Sequence, residues 1–369
     1  MKLPKTITVI SQKYCAYSIG YDSILLGISE ECRKQHITPH FFSISADEIP
    51  SAKYPSEIIL ILGYTEAWTT ALLQHLAERG HTMILLGNTL PFMDSQVNTV
   101  SIDHKQAMMQ SISYLQTAGR KQIAFLGYNR ISMSSLKFEE TFRRFYPSEH
   151  LFENYGSIDE LCDRFLTQHE KFDSVICFID KIAIVLMNKA AQRNLAIPEE
   201  LYVMSFGGTR ISQFCTPALT TVSLNYYQCG CTAVSMISLL HTSEQDPVHI
   251  TLQNDFYTRA STAELPFVPT TGLTPVSYNE NVEEITQDQN FLDIGKLERL
   301  FTYCDDVDMQ ILQKLWKNET YEQISEELPM AITTIYYRLR KLLQHADIRG
   351  KQELFQLLDH YNIRLKAAE

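Results

Sequence analysis

From residue 6 to about residue 262, short apolar runs alternate with amphipathic stretches. The runs are Thr6–Ile10, Pro39–Ser43, Glu57–Leu62, Thr82–Leu86, Thr99–Ile102, Gln122–Leu126, Ser174–Ile179 and Leu201–Ser205. Between them, helical spacing covers Tyr21–Lys34, Trp68–Arg79, Gln106–Ala118, Leu136–Phe145, Ile158–His169 and Lys181–Asn194. Strand and helix in alternation predict a parallel sheet with helices on its faces. The runs are continuous rather than two-periodic, as expected of strands buried on both sides. About eight such units suit two doubly wound lobes or one barrel, and periodicity does not choose between them.

The pattern changes near residue 263. Pro266, Pro269, Gly272 and Pro275 precede a polar, acidic run, Asn279–Asn290, which predicts a linker over 263–295. From Leu297 to Leu365 every apolar pattern has helical spacing. Four helices are expected there. Asp306 or Asp308 caps the first, which turns Ile311, Leu312 and Leu315 inward. Thr320 caps the second, Tyr321–Leu328, which Pro329 stops. The third runs from Ile332 to His345 with Ile335, Leu339 and Leu342 inward, and the fourth covers Lys351–Leu358. A helix, a tight turn and a second helix form the arrangement that offers one helix to a major groove.

A net charge of −11 opposes DNA binding unless the basic residues are concentrated. They are. Between Leu328 and Phe355, Arg338, Arg340, Lys341, Arg349 and Lys351 face only Asp347 and Glu353, while the preceding two helices carry the acidic residues. On the exposed side of the third helix, Thr333, Tyr336 and Tyr337 are placed for base edges or sugar, and Arg340 and Lys341 for phosphate.

Composition excludes several classes. No apolar stretch is long enough for a membrane span, and the four-residue run Ile7–Ile10 is too short for an export signal, so a cytoplasmic protein is expected. Eight scattered cysteines without a CxxC pair read as buried thiols, with no metal and no cofactor implied. The absence of GxSxG, HExxH and P-loop motifs argues against an enzyme, and His104 beside Asp103 reads as a turn feature.

Two resemblances sharpen this reading. The segments ILQKL, YEQISEEL, TTIYYRLRKLL and IRGKQEL resemble the C-terminal helix-turn-helix of LuxR/NarL proteins, with Pro329 and Ala346 as departures. The likeness implies that Thr334 lies near the start of a recognition helix and that Lys351 stands where that family contacts phosphate. The segments GYDSILLGISEEC, VSIDHKQAMMQSISYLQTAGRKQIAFLGY, DSVICFIDKIAIVLMNKAAQRNLAIPEELYVMSFGG, TPALTTVSLNYYQCG and YTRASTA resemble the sensor half of LacI/GalR regulators. This implies a two-lobe α/β periplasmic-binding-protein-like domain over 1–262, followed by an all-α helix-turn-helix domain over 296–369. That family's N-terminal headpiece is expected to be absent, its role taken by the C-terminal helices.

In the sensor, Ile179-Asp180, Ser205-Phe206-Gly207 and Lys137 stand where the family usually supplies an Asn-Asp pair, Gly-Phe-Asp and an Arg. The candidate effector set is Tyr14, Tyr17, Tyr64, Tyr128, Lys137, Tyr155, Asp180 and Tyr226. Aromatic faces with a lysine suit a planar, amphipathic or anionic effector, and a sugar, a sugar derivative or another small polar or aromatic molecule is expected. The expected protein is a homodimeric regulator that binds an operator in double-stranded DNA under control of that effector. The alternative is a regulator whose lobes have lost their ligand and serve as a dimerisation or docking platform.

Overall fold

The computed structural model describes residues 4–45, 54–90, 97–240, 247–262 and 288–365. The apolar runs become strands of two six-stranded sheets, which settles two lobes over one barrel. The first sheet has the order β11-β5-β4-β3-β1-β2, all parallel. Its strands are β1 (Thr6–Gln12), β2 (Thr38–Ile44), β3 (Ile58–Leu62), β4 (Thr82–Gly87), β5 (Asn98–Ile102) and β11 (His249–Leu252). The second repeats this order as β12-β10-β9-β8-β6-β7. It comprises β6 (Ile123–Tyr128), β7 (Leu151–Glu153), β8 (Ser174–Cys177), β9 (Tyr202–Gly207), β10 (Thr220–Ser223) and the antiparallel β12 (Asp255–Tyr257). In each sheet the order reverses beside the central strand, β1 or β6, and the crevice at such a reversal is where α/β folds bind ligands.

The predicted helices are present as α1 (Tyr21–Lys34), α2 (Glu66–Ala77), α3 (His104–Thr117), α4 (Met133–Phe142), α5 (Ile158–Leu166) and α6 (Asp180–Gln192). Asp103, Ser132 and Ser157 cap α3, α4 and α5 through their side chains. Four short strands, β7, β10, β11 and β12, and the helix α7 (Tyr226–Leu240) are not resolved by the sequence pattern. These strands span only three or four residues each, too few for a periodicity to register. Helix α7 returns to the first lobe and lies against α1. A Cβ on Gly27 would fall 2.2 Å from Tyr227 O, and one on Gly230 would fall 2.2 Å from Ile24 O, so the two backbones meet where side chains are missing.

The chain passes between lobes at Asp103, at Asn225 and at Gln253–Asn254. Asn254 donates Nδ2 to Asp103 O at 2.9 Å, and Asn225 donates Nδ2 to Gln253 O at 2.7 Å. The three crossings are therefore tied into one hinge.

Five helices follow: α8 (Gln289–Tyr303), α9 (Asp306–Trp316), α10 (Tyr321–Glu327), α11 (Ile332–His345) and α12 (Lys351–His360). The expected linker is shorter than 263–295, because α8 starts at Gln289 under an Asp288 cap; residues 263–287 lie outside the described residues. The polar tail of that run hides the true start, and the apolar spacing of Phe291, Ile294, Leu297, Leu300 and Phe301 marks the helix. Asp305, not Asp306 or Asp308, caps α9, with Asp308 closing a capping box.

The unit is not loosely tethered. The buried face of α8 extends the core of the second lobe, and Phe301 stacks on Phe214 with ring centroids 5.2 Å apart. Arg210 donates to Cys304 O, Arg364 N to Phe214 O at 2.9 Å, and Asn188 Nδ2 to His360 O at 3.1 Å.

Candidate functional site

Between the lobes lies a cavity of about 90 Å³. It is walled by the strand ends at both sheet reversals. Ser18, Ile19, Gly63 and Tyr64 come from the first lobe, and Gly127, Asn129, Phe178 and Ile179 from the second. His104 and Tyr226 enter beside the hinge crossings. Phe291 contributes a third wall from α8 of the C-terminal unit. No charged side chain lines the cavity among the described residues.

Several of its polar groups are engaged within the protein. Ser18 Oγ donates to Cys15 O at 2.7 Å, and Tyr21 Oη pairs with Ser11 Oγ at 3.0 Å. Asn129 Oδ1 accepts from the Ile131 and Ser132 amides, Ser132 Oγ pairs with Ser134 Oγ, and Asn154 Oδ1 accepts from Gly156 N. Two buried atoms of lining residues have no partner: Asn88 Oδ1 and His104 Nδ1. Burial, reinforced by the charge of Lys137, lowers His104 to about 3, so its ring is neutral at physiological pH. Burial also raises the hydroxyl of Tyr226 far above the ordinary tyrosine range.

Of the residues singled out from sequence, Tyr64 and Tyr226 line the cavity. The ring centroid of Tyr14 lies 6.3 Å from that of Tyr64, outside the lining, and the side chain of Tyr17 lies outside the described ones. Four others are placed elsewhere. Tyr128 packs on Phe125 in the core of the second lobe, its hydroxyl 3.4 Å from Glu153. Lys137 reaches across to the first lobe, donating to Thr89 O and Oγ1 at 3.2 and 3.0 Å, so it is not an anchor for an anionic ligand. Tyr155 is 65% exposed, beside Arg164. Asp180 neither caps α6 nor faces the cavity. Its carboxylate accepts from Ser205 Oγ, Thr221 Oγ1, and both the amide and hydroxyl of Thr209, at 2.5–2.8 Å. Desolvation raises its pKa nonetheless, with these hydrogen bonds opposing. Gly207 stands beside that carboxylate, where a Cβ would lie 3.0 Å from Oδ2, so an aspartate there would crowd it.

Asn88, His104 and Phe291 were missed. In sequence His104 is a single adjacency to Asp103 that reads as a turn feature; in the fold Asp103 caps α3 and the His104 ring borders the cavity. The spacing of Phe291 signals a buried helix face, and nothing in a linear pattern says which cavity that face borders.

On the C-terminal unit, α11 exposes Thr333, Thr334, Tyr336, Tyr337, Arg340 and Lys341. Tyr336 leans on Tyr321 at 4.8 Å between centroids, and Tyr337 is 66% exposed. Arg338 departs from this set. Its Nε donates to Asp308 Oδ1 at 2.8 Å and its other arm pairs with Asp305, so it clamps α11 to the start of α9. Lys351, half-buried, lies over the Phe355 ring at 5.3 Å.

All eight cysteines are buried free thiols, no group of metal-ligating side chains occurs among the described residues, and no described helix is long and apolar enough to cross a membrane.

Comparison with known proteins places this geometry. The HTH-type transcriptional regulator RegA of Clostridium saccharobutylicum is 26% identical over 185 residues, 46% of this chain and 54% of that protein. Catabolite control protein A of Priestia megaterium is 27% identical over 160 residues, 39% of this chain and 47% of its own. The chain thus spans about half the length of the curated relatives it matches. Among solved structures, the transcriptional regulator CelR–cellobiose complex aligns with a TM-score of 0.62 at 16% identity, over 70% of this chain and 85% of that one, a likeness of fold. The sequence family described as a periplasmic binding protein-like domain matches residues 73–262. With two lobes of repeated strand order, a hinge of three crossings and that match over more than half its length, the chain belongs to the periplasmic binding protein-like domain family.

Proposed function

We propose that this protein is a cytoplasmic, effector-responsive transcription regulator, not an enzyme. A small molecule binds in the cleft between the lobes, and a C-terminal helix-turn-helix of LuxR/NarL type binds operator DNA through α11. The observation that carries this reading is the double placement of α8. It walls the cleft through Phe291, and it is also the first helix of the unit that displays α11. The expected route from sensor to output was the long linker; α8 offers a direct one. A ligand shifts the equilibrium between lobe arrangements only by its differential affinity for them. Through α8 that shift reaches the recognition helix. One such helix reads few base pairs, so the operator-bound form is a homodimer with two half-sites a helical turn apart.

The DNA face is tested by titrating labelled duplex DNA and following anisotropy. Arg340→Ala with Lys341→Ala removes two phosphate contacts. It is expected to weaken binding roughly thirtyfold near physiological salt and to flatten the log–log salt slope by about 1.8. Unchanged affinity and slope in the double variant sink the assignment. Arg338→Met supplies a contrast. Loss of its partly exposed pairs with Asp305 and Asp308 is expected to cost about 1 kcal/mol in urea unfolding, while DNA affinity stays within about twofold. A large loss of DNA affinity in Arg338→Met would instead return that arginine to the interface.

A further inference from the structure

We propose that the interlobe cavity is a site for an uncharged aromatic or heteroaromatic molecule with one or two hydrogen-bonding groups, which Asn88 and His104 receive and against which Phe291 of the C-terminal unit packs. This rests on the reading of the cleft as the ligand site and narrows the ligand's chemistry.

Charge is excluded first. No Asp, Glu, Lys or Arg lines the cavity among the described residues, so an ion would be desolvated there without a partner. Lys137 is committed to Thr89, and Asp180 to Ser205, Thr209 and Thr221. The number of polar groups is bounded next. Hydroxyls and amide oxygens on the wall are engaged by Cys15, Ser11, Ser134 and nearby backbone amides, and the buried atoms left over are two. A sugar carries many hydroxyls, and each one buried without a partner opposes binding. A ring with one amide, hydroxyl or N–H group suits these two unpaired atoms. Asn88 Oδ1 can accept a hydrogen bond, and the neutral imidazole of His104, whose ring also meets the Ile102 backbone, offers Nδ1 as donor or acceptor according to tautomer.

Shape agrees. Phe138, Phe178, Tyr226 and Phe291 bring aromatic surface to the cavity from both lobes and from α8. Its volume of about 90 Å³ is below the roughly 150 Å³ of a closed cavity that holds benzene, and because the cleft is partly open a bound ring either projects from it or displaces its walls. Phe291 is the part of the wall through which that displacement reaches α8. Lys181 reinforces the connection, with Nζ 4.1 Å from the Phe291 ring centroid and 3.0 Å from Glu298 Oε2 on the same helix.

The test uses the full chain with benzamide, phenol and indole as neutral probes, benzoate and benzylamine as charged ones, and glucose and cellobiose as sugars. Thermal shift and calorimetry are the readouts. At least one neutral aromatic is expected to bind, while the charged probes and sugars do not. His104→Phe, which keeps a ring in place, and Phe291→Leu are each expected to weaken that binding by about tenfold or more, with circular dichroism confirming that both variants fold. Preferential binding of a sugar or a charged probe overturns the proposal. So does binding of none of the probes, or an aromatic affinity unchanged in either variant. DNA titration of the unliganded chain is read separately: loss of DNA binding refutes the regulator reading, and failure of the aromatic probes with DNA binding intact refutes only the ligand class.

Discussion

Glu298→Ala is expected to destabilise the seat of α8 by about 3 kcal/mol, because it leaves the ammonium of Lys181 buried without its carboxylate. Lys181 Nζ lies 3.0 Å from Glu298 Oε2, with side chains only 5% and 13% exposed. An isolated buried charge costs far more than a well-packed apolar pair, so the asymmetry between single and double variants is diagnostic. Asp22 of α1 acts electrostatically on both Lys181 and Arg299, so part of the ammonium's field stays compensated, which favours the low end of the 3–5 kcal/mol range. Hydrogen exchange of the α8 amides is expected to accelerate by roughly a hundredfold in Glu298→Ala. The double variant Lys181→Met/Glu298→Leu is expected to return exchange to near the wild-type rate. If Glu298→Ala leaves α8 exchange unchanged, the pair does not hold the helix. The readout also bears on function, since α8 is the element shared by cleft and recognition unit.

The second large effect is acid sensitivity carried by His104. Its ring is 2% exposed, packs edge-on against Phe138 with centroids 5.2 Å apart, and titrates near 3 in the folded chain against an ordinary 6.5. Below pH 6.5 the unfolded chain takes up a proton that the folded chain refuses. Stability from this group is therefore complete above about pH 7 and declines as pH falls, with a loss of about 4 kcal/mol at pH 3 that approaches about 5 kcal/mol below it. Between pH 7 and 5 the expected loss is about 2 kcal/mol. His104→Phe removes the titration, so its urea midpoint is expected to fall correspondingly less over that interval. Parallel pH profiles for wild type and variant would exclude His104 as the source.

Much of the architecture is legible in the residues. Continuous runs such as Ile58–Leu62 have no polar face, so they belong between two layers of helices. The spacing of Ile335, Leu339 and Leu342 assigns α11 its inner face, and Thr320 with Gln323 forms a capping box that starts α10 where expected. The candidate cleft was far less legible. Tyr64 follows a strand end and Tyr226 stands where the resembled family stacks an aromatic on its effector, whereas Tyr128, at the end of β6, turns into the core. Asp180 and Lys137 have the residue types of ligand contacts. Their partners, Ser205, Thr209, Thr221 and Thr89, all lie 25 or more positions away in sequence.

Local physics, acting through hydrophobic period, capping and charge clustering, suffices to dictate a two-part chain of alternating α/β units followed by basic-faced helices, while the division into two lobes belongs to the assembled sheets. Those signals depend on residues a few positions apart, and each element reports them without reference to the others. Which polar atoms remain unpaired is a different kind of fact. Whether His104 and Asn88 are open, whether Arg338 is spent on Asp305 and Asp308, and whether Phe291 reaches the cleft all depend on groups brought together from distant segments. Burial and pairing are properties of the assembled fold, so only the tertiary structure decides them.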